Sequence, residues 1–439
     1  MIDPVEIKTI EQLEKEVEEF LLLGDKNVVK TIIATIIANK MQLSPVWLLL
    51  VAPSSGGKSE LIGALSGLPF IHAISDLTVN TFVSGLKRPG KETSLLFKIT
   101  GGIMTFKDFT SILSKNKDAR KEIMGQLREV YDGDYTKRTG TGDDIHWHGR
   151  VGAIGASTEA IYKAIGEMTQ MGDRFIMYTI EQAERIDSTI RAMENAPFLV
   201  EKRNHLQNCF TSYIQYLLNH LEISGKDIEI SSEIKMEILQ VADFAARARS
   251  AVDIDIRTGL VDFVPSIEMP MRMITQLYNL AKAFTVMRAS VPESNNLVAN
   301  TLTDDDKKIL LKIAFDSIPK TRRMVLYYLA KYIKGISTAG VAVAVNLPTE
   351  SIKKYLFEVN ALGICERKKR KGAQGDQWII IDSYRQVIRK VQDIVIDDGE
   401  LIAQNIDLDA ELDQVMREQA NEKMVLESLN SDLGSKLDL

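Results

Sequence analysis

The spacing of apolar and polar residues changes rhythm several times along the chain. From Glu6 to Met41, apolar residues recur every three or four positions, as in Ile10, Leu13, Val17 and Phe20. That period predicts two amphipathic helices, broken at Gly24-Asp25. Val46 to Ala52 is instead a continuous apolar run, the pattern of a parallel strand covered on both faces. A Pro-Ser-Ser-Gly-Gly turn follows, then a helix from Lys58 towards Leu65. Further short apolar runs at Phe70 to Ile74, Leu95 to Ile99, Gly102 to Phe106, Val151 to Ala156 and Phe175 to Ile180 read as strands. Helical patterns such as Arg120 to Tyr131 separate most of them. Strands alternating with helices predict an α/β fold with a mainly parallel sheet. From Thr189 to about Arg288 the pattern is helical throughout and predicts a separate all-α subdomain.

A different unit is expected from Thr301 to Asp382. Thr321 to Ile333 reads as a helix, and Thr338 to Val345 as a second, ended by Asn346-Leu347-Pro348. Thr349 is placed to cap a third, Glu350 to Leu362. Two strand-like runs, Gly363 to Glu366 and Gln377 to Ile381, then flank a basic, glycine-containing loop. Helices followed by a β-hairpin in this order predict a winged helix-turn-helix. The expected division is 1–44 as an N-terminal helical segment, 45–188 as the α/β core, 189–290 as a helical lid, 301–385 as the winged helix and 391–439 as an acidic tail. Val391 to Leu439 holds thirteen acidic and three basic residues.

The chain has 439 residues, 45% of them hydrophobic and 26% charged, with a net charge of −6. This is ordinary globular composition, long enough for two or three domains. The charge excludes a wholly basic nucleic-acid coat, so any such contact rests on local patches. Cys209 and Cys365 lie far apart among apolar neighbours and read as reduced, structural residues. Met1-Ile2-Asp3-Pro4 shows no signal-peptide pattern and no run is long enough to span a membrane, so a cytoplasmic, non-membrane protein is expected.

The chemistry is concentrated after the first strand. Ala52-Pro53-Ser54-Ser55-Gly56-Gly57-Lys58-Ser59 fits a phosphate-binding P-loop, with Ala52 in place of the first glycine. Such a turn aims consecutive backbone N–H groups at a β-phosphate. Lys58 would neutralise β- and γ-oxygens, and the Ser59 hydroxyl would ligate Mg²⁺. ATP and Mg²⁺ are the expected ligands. A partner strand should end in carboxylates for the metal and the attacking water. Gly102 to Phe106 is followed by Lys107-Asp108, so Asp108 is the carboxylate available for the Mg²⁺ shell or water activation. A helix-capping aspartate in a site unable to hydrolyse ATP is the alternative. Val151 to Thr158 is another strand ending in hydroxyls. Thr158 there either senses a γ-phosphate or holds the attacking water, or it caps the next helix.

These residues resemble the MCM-like AAA+ helicases, in particular the self-loading helicases of mobile genetic elements. The resemblance covers roughly Val46 to Ser290 plus the winged helix, and rests on motif order. The P-loop is followed by Phe106-Lys107-Asp108-Phe109, an insertion around Lys137-Arg138, the strand ending Ser157-Thr158, Gly172-Asp173-Arg174-Phe175 and Pro270-Met271-Arg272-Met273-Ile274-Thr275-Gln276-Leu277. Lys107 departs from the pattern. The resemblance implies a ring, most often a hexamer, with ATP between subunits. Arg174 would then be an arginine finger reaching a neighbour's γ-phosphate, and Arg272 a sensor-2 arginine doing likewise. It also implies that the Lys137-Arg138 hairpin points into the ring channel and grips phosphates of single-stranded DNA.

Arg367-Lys368-Lys369-Arg370-Lys371 forms the wing of the predicted winged helix, and Lys353 and Lys354 lie on its third helix. Five consecutive cations point to duplex phosphate contact, which positions without reading sequence. His146 and His148 flank Trp147 on the returning arm of the insertion, and with no cysteine partner they do not read as metal ligands. Three functions remain open at this point. They are an ATP-dependent helicase or translocase in replication of a mobile element, phage or plasmid; an origin-binding initiator or helicase loader using ATP as a switch; and a winged-helix regulator with an inactive P-loop.

Overall fold

The computed structural model describes residues 6–41, 43–78, 80–83, 94–138, 144–162, 174–220, 228–252, 267–289, 302–369 and 376–392. The expected motif residues Gly172, Asp173, Arg370 and Lys371 and the acidic tail beyond Gln392 lie outside them. The chain divides into two compact units, one of residues 1–252 and 265–320 and one of residues 253–264 and 321–439.

The first unit is a mixed α/β structure built on a five-stranded parallel sheet. Its strands are β1 (Trp47–Val51), β2 (Ile71–Ala73), β3 (Ile103–Phe106), β6 (Gly152–Ser157) and β7 (Ile176–Thr179), in the order β2-β3-β6-β1-β7. A separate antiparallel hairpin pairs β4 (Asp134–Arg138) with β5 (Asp144–His148). β1 is buried along its whole length, as its unbroken apolar run requires. Because every pairing is parallel, with Val51 opposite Ser157 and Thr179 and Phe106 opposite Gly155, the strand ends that carry the motifs share one edge.

The N-terminal helices are α1 (Ile10–Phe20) and α2 (Asn27–Lys40). α1 is amphipathic, as its spacing predicts, burying Leu13, Val17 and Phe20 and starting in a Thr9–Gln12 capping box. α2 is not. It is buried from Val28 to Asn39 apart from Lys30, because it lies within the core. The Asn39 amide exchanges two hydrogen bonds with the Val46 backbone (2.9 and 3.0 Å), which fixes where β1 begins. Residues 6–41 are thus part of the first unit rather than a separate segment.

Leu95–Ile99, read as a strand, is a short helix, α4. Five residues with a single lysine carry no usable period, and short apolar runs fit either element. α3 (Lys58–Ala64) follows the P-loop. α5 (Thr110–Leu113) and α6 (Lys117–Asp132) follow β3. The helical stretch after β7 comprises α7 (Arg185–Asn195), α8 (Leu199–His220), α9 (Ser232–Arg249) and α10 (Met271–Ala289). It is not a subdomain apart, because α8 packs on α1 and α3 and α10 packs on α2.

α11 (Asp304–Asp316), expected in the C-terminal unit, belongs to the first. β7 is an edge strand whose outward N–H groups need partners. Asp316 accepts from Thr179 N–H (2.8 Å), and the Ser317 hydroxyl accepts from Met177 N–H (3.0 Å).

The second unit contains α12 (Lys320–Lys331, from Thr321 onward), β8 (Ile336–Ser337), α13 (Thr338–Val345), α14 (Thr349–Ala361), β9 (Cys365–Lys368), β10 (Gln377–Ile380) and α15 (Asp382–Gln392). Its sheet is antiparallel, ordered β8-β10-β9. α14 is capped at Pro348, so Thr349 is its first helical residue and not its cap. Pro348 makes no side-chain cap bond, and its missing N–H costs nothing there because the first N–H groups of a helix have no partner within it. A buried Arg322–Glu358 ion pair (2.7 Å) ties α12 to α14.

Candidate nucleotide site at the strand ends

The loop between β1 and α3 has the backbone a phosphate cradle needs. Ser55 (φ 64°) and Gly57 (φ 76°) are both left-handed. Gly57 adopts this without a Cβ penalty, and alternating backbone hands turn successive N–H groups to one side. Lys58 opens α3. Its ammonium is nearly buried and donates to the carbonyls of Ala52 (2.7 Å) and Pro53 (2.6 Å). Burial lowers its pKa, opposed by the charge of Asp108. The amine is held over the loop by two weak acceptors, a position from which a phosphate competes well.

Asp108, Thr110, Ser157 and Thr158 converge beside it. The order of the sheet places β6 between β1 and β3, so the hydroxyls at its end stand between the P-loop and Asp108. Thr110 Oγ1 lies 3.4 Å from Ser157 Oγ and 3.5 Å from Thr158 Oγ1. Asp108 accepts from Thr110 N–H (2.9 Å), a local turn contact, while Phe109 holds the cap position of α5, so Asp108 is not the helix cap weighed above as its alternative role. Ser59 Oγ donates to the Lys107 carbonyl at 3.4 Å. The Lys107 ammonium lies beside Gly63, one turn along α3 from Ser59, 3.8 Å from where a Gly63 Cβ would stand. Ser59 and Asp108 therefore offer oxygen donors of the kind Mg²⁺ prefers.

A cavity of about 360 Å³ opens from Ser55 to Glu60. Its other walls carry no recognised motif. Leu21, Leu22 and Leu23 form one, Glu181, Gln182 and Ala183 another, and Ser188, Arg191, Ala192 and Asn195 of α7 a third. Leu23 and Gln182 are joined by an antiparallel bridge. A Cβ on Gly24 would sit 2.6 Å from the Gln182 carbonyl carbon, so the glycine marks a close backbone approach. Arg191 donates to the Glu18 carbonyl (3.0 Å) and Asn195 to the Phe20 carbonyl (2.8 Å), which hold α7 against the end of α1. The only signal of these walls in the sequence is the Leu-Leu-Leu-Gly break.

Arg174 and Arg272 are not at this edge. Arg174 precedes β7, and strands of four to five residues place it on the order of 15 Å from the P-loop edge. It is 8% exposed, pairs with Asp132 (2.9 Å) and lies 5.5 Å from the Tyr131 ring centroid. Gln276 of α10 donates to its carbonyl (3.0 Å). One turn earlier on α10, Arg272 donates to Glu268 (3.2 Å), which also takes two bonds from Arg249 (2.8 and 2.7 Å). Burial opposes ionisation of Glu268, but the two arginines hold its carboxyl below the usual range. Burial also pushes the Tyr131 hydroxyl up to about 12 despite Arg174 and Arg272 nearby. Three arginines are thus gathered at the far edge of the sheet.

The hairpin expected around Lys137-Arg138 is present. Tyr135 and Trp147 pair across it and anchor its base in the core, and the Trp147 indole donates to Thr100 Oγ1 (2.9 Å). Lys137 donates to Asn80 (2.9 Å) and Arg138 pairs with Asp144 (3.4 Å). The tip, 139–143, lies outside the described residues. His146 contacts Thr136 (3.0 Å). Among the described residues, neither His146 nor His148 joins a metal-ligating group.

In the second unit, Lys353, Lys354, Lys368 and Lys369 are exposed. Arg367 is not a loop cation. It lies on β9 opposite Trp378, pairs with Asp376 (2.7 Å) and stacks 4.8 Å from the Phe357 centroid. Strand β9 runs to Lys368, so the basic stretch begins inside the sheet. No protein-family model matches the chain, and no curated protein is detectably similar to it.

Proposed function

We propose that the chain is an AAA+-type ATPase that translocates on DNA and unwinds it during replication of a mobile element, phage or plasmid. The observation that carries this is the left-handed Ser55–Gly57 turn, with Lys58 above it, opening on a cavity with apolar side walls. Lys58 and the loop N–H groups suit a polyphosphate, and Leu21 to Leu23 with Ala183 and Ala192 suit a base. Ser59 and Asp108 would hold Mg²⁺, which neutralises phosphate charge when bound. Asp108 and Thr158 orient the attacking water.

Arg174 lies too far from its own P-loop to serve it, so in this reading Arg174 and Arg272 act on a neighbour's nucleotide, Arg174 by leaving its ion pair with Asp132. Two exposed apolar surfaces favour such an assembly. Ile186, Ile190 and Met193 line the face of α7 turned away from the cavity, with Ile186 74% and Met193 71% exposed. Met269, 72% exposed, and Met271 stand beside Arg272. One patch lies on the far side of the helix that walls the cavity and the other beside the arginines, so joining them head to tail would make a heterologous contact, the kind from which rings are built. A hexamer is the ring size proposed.

The second unit is proposed as a winged helix, with α14 entering the groove and Lys353, Lys354, Lys368 and Lys369 on duplex phosphates. The β4–β5 hairpin is proposed as the single-strand contact in the channel. No described helix is long and apolar enough to cross a membrane. A second reading, a winged-helix DNA-binding regulator with an inactive P-loop, is favoured by Lys107 at the end of β3. Strand displacement with and without ATP separates the two.

A further inference from the structure

α8 carries His205 and Cys209 four residues apart, so both side chains lie on one face. That face meets α1, and there Glu16 reaches across. Glu16 Oε2 is 2.7 Å from His205 Nε2, and His205 Nε2 is 3.5 Å from Cys209 Sγ. One ligand atom from each of the three residues lies within 4.8 Å of the other two. A tetrahedral zinc with bonds of about 2.1 Å to nitrogen and 2.3 Å to sulfur sets those two atoms about 3.6 Å apart. The His205–Cys209 pair is already at that spacing. The Glu16–His205 contact needs to open by roughly 0.6 Å, which one rotation of a partly exposed glutamate supplies. An ordinary Glu–His ion pair has no need of a buried thiol against the same imidazole nitrogen.

We propose that Glu16, His205 and Cys209 form a zinc-class metal site joining α1 to α8. The site lies apart from the P-loop chemistry. Carboxylate, imidazole and thiolate together favour zinc or cobalt over magnesium. Cys209 is buried while His205 and Glu16 are partly exposed, so the fourth position faces solvent and takes water. Binding releases the Cys209 thiol proton to solvent and forms a metal–sulfur bond in its place, while His205 binds through Nε2 as neutral imidazole with its ring proton on Nδ1. Because imidazole and thiol bind metal only in their deprotonated forms, binding tightens as pH rises. The bound metal is a strut between two helices. α1 leads directly into Leu21 to Leu23 and α8 begins at Leu199, all of them residues of the nucleotide cavity wall.

The test is cobalt titration of the full chain in excess Mg²⁺. One equivalent per chain should bind, with a thiolate-to-cobalt charge-transfer band in the near ultraviolet and visible bands of tetrahedral intensity. Cys209→Ser should lose the charge-transfer band. Glu16→Gln should keep it with affinity weakened at least about tenfold. Zinc should raise the melting temperature of the wild type and leave that of Cys209→Ser unchanged. His205→Gln, at a partly exposed position, decides the matter if Cys209→Ser does not fold. A wild type without the band, or a band that survives loss of His205 or Cys209, overturns the site.

Discussion

Replacing Lys58 by alanine separates the site's chemistry from its architecture. In the folded chain the ammonium donates to the Ala52 and Pro53 carbonyls at 2.7 and 2.6 Å. Deleting a hydrogen bond to a charged group costs about 1.5–3 kcal/mol in a typical case. Against this, the lysine is nearly buried and desolvation already disfavours its charge, with Asp108 only partly compensating. The two effects oppose each other, so the net loss of folding stability should stay below about 2 kcal/mol. In a unit of this size that shifts the melting temperature by less than about 8 °C. The effect on function should be far larger. One charge–phosphate contact is worth about 10- to 150-fold in ATP affinity. Loss of a preorganised charge on the transferring phosphoryl group slows turnover by about 10²–10³-fold or more. Phosphate release at saturating ATP and a melting curve on the same preparation measure both. Turnover near the wild-type rate would refute the P-loop assignment. A collapse in melting temperature would show that Lys58 is a structural ammonium rather than a phosphate ligand.

Four other outcomes follow from the geometry. Arg174→Ala should bind ATP but not hydrolyse it, and mixing it with Lys58→Ala subunits should restore part of the turnover. Mixed rings that form without recovery would rule out a shared site. Lys368 and Lys369 changed to alanine should weaken duplex binding and lower the slope of log affinity against log salt by about 1.8. Lys137 and Arg138 changed to alanine should spare initial binding and depress unwinding, and a hairpin variant that unwinds normally would make them plain surface residues. Glu268 has its folded pKa held below the ordinary 4.5, so its contribution to stability is complete above that value and is lost as pH falls through the folded pKa. Glu268→Gln should therefore flatten the melting profile below pH 4.5, and an unchanged acid limb would contradict the Arg249–Glu268–Arg272 cluster.

What could be read in advance was what local spacing controls. The buried strand before Ala52, the turn at Gly56-Gly57 and the helix from Lys58 are short-range patterns, and each is where the sequence places it. The hairpin around Lys137 was legible for the same reason. Leu95–Ile99 was not, because an aperiodic apolar run reads as either element. α11 was misplaced because adjacency in the chain suggested one unit, whereas Asp316 and Ser317 satisfy the edge of β7. The cavity wall at Leu21 to Leu23 and Gln182 depends on a bridge between residues far apart in sequence, and no local period encodes it. The same holds for the meeting of Glu16 with His205, which only the packing of α1 on α8 creates. Arg367 was read as one cation of a loop, and its strand position opposite Trp378 commits it to the hairpin instead.

The most direct test of the central claim is a strand-displacement assay on a forked duplex, run with ATP, without it, and with the Lys58→Ala protein. The account predicts displacement that requires ATP and disappears in the variant. Wild-type protein that binds the fork and hydrolyses no ATP, or leaves the strands paired when ATP is present, would contradict it.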